Sequence, residues 1–315
     1  MVKGRFRRKR VAVVLGGMSA EREISQMTGE SVARVLSERG YNVSVIRAGR
    51  DLPARLLAAR IDVVFNALHG RYGEDGCVQG LLEVMGIAYT GSGVLASAVG
   101  MDKIACKRIW QTLGLPTPEW RPVAPGETIG ASFALPAKLP LVVKPAAEGS
   151  SVGVAIVRER SKLLSAITKA RAFGGDVLLE RYVAGKEITV GILGTRALCA
   201  MEVVAEGEFH SYEVKYTPGR EQFIVPAPLS KKAYDRVLEL ALEAHRAIGA
   251  ESYSRVDFRV DAHESPWLIE INTLPGLTNL SYLPKMAAHV GLTYSDLVET
   301  ILDAASLKLK EMSNP

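Results

Sequence analysis

Residues 254–281 read SRVDFRVDAHESPWLIEINTLPGLTNLS. Two runs with strand-like alternation flank the polar loop DAHESP at 261–266. In the first run Val256, Phe258 and Val260 share one face, and Arg255, Asp257 and Arg259 share the other. In the second, Leu268 and its apolar neighbours point to the core, while Glu270 and Asn272 lie on a common face. The midpoint of Asp257 and Glu270 falls at the centre of the loop. A hairpin therefore sets Asp257 beside Glu270, with Asn272 one step along. Opposed carboxylates repel, and a hard cation removes the conflict. Mg2+ favours oxygen donors, takes one or two protein carboxylates, and fills its other positions with water and phosphate oxygens. The acidic face suits a nucleotide–metal site. A solvated hairpin that happens to be acidic fits the spacing equally well.

Composition narrows the choice of partners. The 315 residues suggest two or three domains, with apolar and aromatic contents ordinary for an α/β protein. The formal charge is +5, but Lys3, Arg5, Arg7, Arg8, Lys9 and Arg10 lie in the first ten positions. Without them 33 basic residues of the 39 face 34 acidic ones, so the body is almost neutral. Such a tail could grip nucleic acid or anionic lipid, and as a flexible extension of an enzyme it needs neither. We expect no nucleic-acid partner. No apolar run approaches the roughly 18 residues of a membrane span, so no membrane insertion is expected. VAVVLGG at 11–17 is too short for a secretory h-region and runs directly into a helical pattern. Cys77, Cys106 and Cys199 lack CxxC spacing, which points to a reducing cytosol and away from disulfides or zinc.

Upstream of the hairpin the elements alternate. Strand 11–15 ends in Gly16-Gly17, and a helix from about Ala20 to Arg39 carries Ile24, Met27, Val32, Val35 and Leu36 as its apolar stripe. Glu21 falls in its first turn, where an acid also serves the helix dipole. Strands at 41–46 and 61–65 flank a helix at 52–59. NALHGRYGEDG, 66–76, follows a strand end, where α/β sheets place ligand contacts, and makes His69 a possible substrate contact. A helix at 77–85, a strand at 87–89 and a helix from Ser92 complete a first domain. Asp102 caps a helix carrying Lys103. After Pro116 and Pro118 a loose segment runs to about Lys138. Strand 141–144 ends on Lys144, and EGSSVG, 148–153, forms a loop of small residues able to close over phosphates. No GxGxxG fingerprint or Walker A sequence is present. A helix at 161–172, a strand ending in Glu180, and paired strands 187–193 and 197–204 follow. Residues 210–226, holding Lys215 and Tyr216, read as one long irregular loop. A helix at 231–248, the hairpin, and two helices ending near Leu309 close the chain.

Lys103, Lys144 and Lys215 thus stand against Asp257, Glu270 and Asn272, with Arg255 able to stabilise developing negative charge. This is a constellation for ATP chemistry without a P-loop. The motifs LGGMSAERE, ALHGRYGEDG, YTGSGVLASAVGMDK, VVKPAAEGSSVGV, YEVKYTPG, RVDF and EINTLPGLTNLS, in this order from about Val11 to Leu302, resemble those of the D-alanine–D-alanine ligase family of the ATP-grasp superfamily.

The resemblance implies a mixed α/β and α+β chain with the ATP-grasp fold. A basic flexible tail (1–10) precedes a Rossmann-like N-terminal parallel-sheet domain (11–101). Two α+β units, 102–184 and 185–315, clasp the nucleotide. It implies that Lys103, Lys144 and Lys215 contact phosphates and that Ser150 and Ser151 lie in the closing loop. Glu180, Tyr182 and Val183 would form the adenine-side hinge, and Glu187 would hold the ribose. Asp257, Glu270 and Asn272 would bind two Mg2+ ions, with Mn2+ as a substitute. Glu21 would receive the first D-alanine ammonium, and Ser281 would seat the second carboxylate. Arg255 and the Gly276 N–H would form an oxyanion hole, and Tyr216 would join Ser150 and Glu21 in a relay. A cytoplasmic homodimer joining two D-alanines at the expense of ATP is the implied protein. Another ATP-grasp carboxylate–amine ligase with a different acceptor is the alternative. Two departures stand out. Tyr72 occupies a position where many relatives have a small residue, and Glu251-Ser252-Tyr253-Ser254 replaces a glycine-richer approach to Arg255.

Overall fold

The structure is a computed structural model that describes residues 4–130, 132–205, 221–279 and 281–309. The N-terminal sheet is parallel, with order β2-β1-β3-β4 from β1 (Arg10–Gly16), β2 (Asn42–Ala48), β3 (Val63–Asn66) and β4 (Ala88–Tyr89). Alternate residues of β1 feed two cores. Val11 and Val13 join Val32 and Leu36 of α1 (Arg22–Glu38), and Ala12 and Val14 join Leu52 and Leu56 of α2 (Leu52–Ala58) and Leu82 of α3 (Cys77–Val84). Both faces are covered, as a parallel sheet requires. The expected stripe of α1 is corrected at one position. Met27 is 53% exposed, and the buried face begins instead with Ser25, Thr28 and Gly29. The reason is steric: a Cβ on Gly29 would lie 2.5 Å from the Leu15 Cβ, so the helix backbone itself rests on β1.

Helix α4 (Val94–Met101) leads to α5 (Lys103–Thr112), which starts where Asp102 Oδ1 accepts from the N–H groups of Ile104 and Ala105. The second sheet is antiparallel, with order β5-β8-β6-β7 from β5 (Trp120–Val123), β6 (Leu141–Pro145), β7 (Ala155–Val157) and β8 (Val177–Arg181). Helix α6 (Leu163–Arg171) closes its core through Leu163, Ala166, Ile167 and Ala170. Strand β5 corrects the reading of 118–138 as wholly loose. Its Pro122 hides it in the sequence but suits the edge strand that it is.

The third sheet has order β11-β10-β9-β12-β13, from β9 (Lys186–Leu193), β10 (Arg196–Ala205), β11 (Glu221–Ile224), β12 (Tyr253–Val260) and β13 (Pro266–Asn272). Helix α7 (Lys231–Ala247) packs Val237, Leu240, Ala241 and Ala244 against one face. Leu283 and Met286 of α8 (Tyr282–His289) join Leu198 and Met201 on the other. Strand β11 replaces the end of the irregular loop expected at 210–226. Lys215 and Tyr216 lie outside the described residues.

Helix α9 (Tyr294–Asp303) ends six residues before the expected Leu309, and its Leu297 and Ile301 join the core of α1 and β1. Ser306 then forms a bridge to Tyr89. The chain end therefore returns to the first sheet. So does the beginning. Phe6 is only 7% exposed within that same core, and the N–H groups of Gly4 and Arg5 donate to Asp303 Oδ2 and Oδ1 at 2.9 and 3.0 Å. Residues 4–9 are thus a packed arm rather than the flexible tail expected, because Phe6 buries between its charged neighbours.

Candidate active site

Asp257 pairs with Glu270 and Arg255 with Asn272 across β12 and β13, as the spacing predicts. The path to that register differs. Val260 faces Pro266 and Phe258 faces Leu268, so the loop-end register alone would set Asp257 opposite Ile269. A bulge between Asp257 and Phe258 absorbs Ile269 and swings Glu270 onto the face of Asp257. It also lets the neighbours Ile269 and Glu270 both line one cleft, which strict alternation forbids.

That cleft lies between the second and third sheets, with a cavity volume of ≈ 140 Å³. Val142, Val154, Ile156, Phe258 and Ile269 give it apolar walls suited to a flat heterocycle. Lys103, Lys144, Ser151, Glu180, Tyr182, Val183, Glu187, Asp257 and Glu270 line it as well, so most sequence-predicted nucleotide residues come together. Lys103 Nζ stands 3.2 Å from Glu270 Oε2 and donates to the Glu148 carbonyl at 2.6 Å. Lys144 Nζ lies 3.5 Å from Glu180 Oε1.

The loop after Glu148 carries the site onward. Ser150 and Ser151 take φ 52 and 57, two consecutive left-handed residues. Such backbone persists where its surroundings over-determine it, often at ligand clamps. Ser150 Oγ donates to Glu21 Oε1 at 2.5 Å. Glu21 caps α1 by position without a side-chain cap bond, so its carboxylate is turned to the loop instead. A Cβ on Gly70 would lie 2.9 Å from Glu21 Oε2, which explains a glycine beside that acid. His69, one residue earlier, is buried. Its Nδ1 lies 3.0 Å from Glu74 Oε1 and its Nε2 3.1 Å from Thr28 Oγ1, so both ring nitrogens are engaged within the first domain. Tyr72 holds φ 67, a conformation glycine takes freely.

Arg255 continues the site on the other side. Its Nε and one terminal nitrogen grip Asp257 at 2.9 and 2.7 Å, and Thr189 Oγ1 donates to Asp257 Oδ1 at 2.6 Å. Burial pushes the guanidinium pKa down, but Asp257 and then Glu270 outweigh burial and raise it above its ordinary value. It stays charged. Its ring neighbour is Tyr282, 5.3 Å away, next to Ser281. Ser281 Oγ accepts from Thr278 N–H at 3.1 Å, and a Cβ on Gly276 would approach it to 3.0 Å. Gly276, Ser281, Arg255 and the acids therefore form one connected run.

The donor set of Asp257, Glu270 and Asn272 consists of hard oxygens and fits Mg2+. Arg255 and Lys103 neutralise the two carboxylates. Asn272 Oδ1 accepts from Leu274 N–H at 2.8 Å, which fixes the direction of its amide. Among the described residues, no cluster of three or more His, Cys, Asp or Glu side chains forms a metal site, since the third donor here is an amide.

Residues 48–92 match the family described as D-ala D-ala ligase N-terminus, and residues 109–303 match D-ala D-ala ligase C-terminus. A D-alanine–D-alanine ligase of Anaeromyxobacter sp. (strain Fw109-5) is 48% identical over 306 residues, 97% of this chain and 99% of the relative. The chain belongs to the D-alanine–D-alanine ligase family. The ligase of Citrifermentans bemidjiense is also 48% identical, over 96% of this chain and 98% of its own. A crystal structure of a Bacillus anthracis D-alanine–D-alanine ligase complexed with ATP superposes with a TM-score of 0.83 at 35% identity, covering 94% of this chain and 96% of that one. The architecture is the ATP-grasp fold of this family. Among the described residues no helix is long and apolar enough to cross a membrane.

One residue escaped the sequence reading. Lys107 is fully buried behind the cleft, 2.5 Å from Glu180 Oε2. Its position was legible: it lies three residues from each of Ile104 and Trp110, on the buried stripe of α5.

Proposed function

We propose that the chain joins two D-alanine molecules into D-alanyl-D-alanine, the dipeptide of peptidoglycan precursors, with hydrolysis of ATP to ADP and phosphate. The observation that carries this reading is the continuity from cleft to loop to Glu21. Lys103 ties Glu270 to the Glu148 carbonyl, and two residues along the same loop Ser150 bonds Glu21. One short segment, 148–150, thus touches both a lysine of the cleft and Glu21, which supports a reading in which phosphates and the first ammonium lie close together.

The chemistry follows from the leaving-group problem. An amine cannot displace oxide from a carboxylate. A carboxylate oxygen of the first D-alanine attacks the γ-phosphorus, and ADP leaves with the bridging oxygen. The second amine then attacks the acyl carbon of this acyl phosphate, loses a proton, and phosphate departs with the activated oxygen. Glu21 holds the first ammonium, and Ser281 seats the second carboxylate. Arg255 and the Gly276 N–H stabilise the oxyanion between the two bond changes. Lys103, Lys144 and Ser151 hold the phosphates. Glu180, Tyr182 and Val183 border the adenine, and Glu187 binds the ribose. Asp257, Glu270 and Asn272 hold two Mg2+ ions, or Mn2+, which supply charge neutralisation at the phosphates. Lys215 and Tyr216 are assigned to phosphate and to the Ser150–Glu21 relay by motif alone. His69 is assigned to the substrate side of the 66–76 loop, which it braces. Water would destroy the acyl phosphate, so the 148–153 loop must exclude it.

The protein acts as a cytoplasmic homodimer in this reading. ADP release with Mg-ATP and D-alanine, with L-alanine and no-amino-acid controls and mass detection of product, tests the activity. Matched ADP and D-alanyl-D-alanine are expected. ADP release without dipeptide would assign another acceptor.

A further inference from the structure

Lys107 sits one helical turn after Lys103 on α5, with no exposed surface. Its Nζ donates to Thr117 Oγ1 at 2.5 Å, and that hydroxyl donates to the Leu268 carbonyl of β13 at 2.9 Å. Glu180 Oε2 lies 2.5 Å from Lys107 Nζ, and Glu180 Oε1 lies 3.5 Å from Lys144 Nζ. One carboxylate therefore faces two ammonium groups, all three nearly or fully buried. The closer contact goes to the lysine behind the cleft, and the looser one to the lysine that lines it.

We propose that Lys107 is a positioning residue for the nucleotide: by holding Glu180 from behind, it leaves the Lys144 ammonium available to the phosphates. The proposal rests on the nucleotide reading above. Two buried cations on one anion are an incomplete set, since a buried charge without full compensation is destabilising. An incoming phosphate completes it. The strain is visible in Lys107 itself, whose pKa falls to about 8 because burial outweighs Glu180 and Lys144 adds repulsion. Without Lys107, Glu180 has one cation left to pair with. It then draws Lys144 into a close ion pair that ATP must break.

Lys107→Met tests this through the Kd of Mg-ATP by calorimetry and the separate KM values for ATP and D-alanine. The ATP values should rise about tenfold or more while the D-alanine KM stays within about twofold. Lys107→Arg, which keeps the charge, should recover most of the loss. The decisive comparison is Lys107→Met within Glu180→Gln. With no carboxylate to capture Lys144, the second substitution should change ATP affinity by less than about threefold. This double variant removes both charges of the buried pair, so it also serves if the single one fails to fold. An unchanged ATP Kd in Lys107→Met, a parallel rise in the D-alanine KM, or an equal loss in the Glu180→Gln background overturns the role. Wild-type protein that binds no Mg-ATP overturns the nucleotide reading with it. Wild-type binding with an unaltered variant overturns only the role of Lys107.

Discussion

Two charged clusters of this molecule are built from similar parts and are left in opposite states. At the chain ends, Arg7 and Arg39 reach the Glu299 carboxylate at 3.3 and 3.1 Å, Tyr41 donates to it at 2.8 Å, and Arg39 also takes Asp296. Asp303 meanwhile receives the N–H groups of Gly4 and Arg5. Donors and acceptors match, and both arginines keep substantial exposure. At the wall of the cleft, Lys107 from behind and Lys144 from within share Glu180 where almost no water reaches. A matched cluster can close a fold, whereas an unmatched buried one is poised for a ligand of the missing sign. Burial of a cation without a carboxylate of its own, rather than charge density, separates the functional cluster from the structural one.

The comparison breaks most sharply at Arg255. Its fork on Asp257 puts a permanent cation beside the acids, and a lysine cannot reproduce two parallel N–H contacts. Arg255→Lys should lower kcat for dipeptide formation by about 10²–10³, the range for losing an oxyanion donor. ATP binding, read by calorimetry, should change far less. A kcat near wild type would remove Arg255 from the reaction.

The matched cluster should respond in stability instead. Phe6→Ala empties a core position at the end of the arm and should destabilise the fold by about 3 kcal/mol. Denaturant unfolding measures the loss, and kcat at a temperature below the transition should hold. An arm that merely drapes the surface would give no such loss. Removing residues 1–9 should likewise lower stability and leave the ATP KM alone.

The reach of the sequence can be judged on the same two clusters. The pairing of Asp257 with Glu270 follows in the sequence from a loop at 261–266, one residue longer than the one that forms, and a bulge makes up the difference. That bulge was not readable, because Ile269 is as plausible in the core as in the cleft. Lys144 and Glu180 stood at strand ends, where ligand groups gather, so they were readable. Lys107 was passed over, although its spacing from Ile104 and Trp110 puts it on the buried stripe of α5. The arm was hidden by its charge: six arginines and lysines around Phe6 suggested solvent, and Glu299, the acid that receives Arg7, lies 292 residues away in α9. Long-range pairing leaves no local pattern. The same holds for α1, whose close approach to β1 selects small residues that read as polar.

Titration sharpens the contrast from the alkaline side. Lys107 faces Glu180 and Lys144, with Cys106 on its own helix. Above pH about 8 it loses its proton, and the cluster becomes that of Lys107→Met. The KM for ATP should therefore rise severalfold between pH about 7.5 and 9.5, roughly where the deprotonated fraction climbs. Lys107→Arg should flatten that rise, since a guanidinium stays charged. An identical pH profile in both proteins would assign the effect to other groups.

The smallest effect belongs to the acid side of the matched cluster. Burial pushes the Glu299 carboxyl up, but hydrogen bonds from Tyr41 and Arg7 and the charge of Arg39 outweigh it and hold it below the ordinary range. A carboxylate held low in the folded state binds its proton less readily there than in the unfolded chain. Its stabilisation is therefore complete above the ordinary glutamate range, near pH 4.3, and fades as pH falls through the lower folded value. His245 complicates the reading, because burial holds its pKa down at about 4 and its charging also destabilises the fold between pH about 6.5 and 4. The two separate by window. Glu299→Gln should leave the His245 slope above the carboxylate range intact and lose only the part at lower pH, as followed by thermal unfolding across a pH series. If the variant instead matched wild type throughout, the arm and α9 would be held by Asp303 and Phe6 alone, and the matched cluster would owe its strength to packing rather than charge.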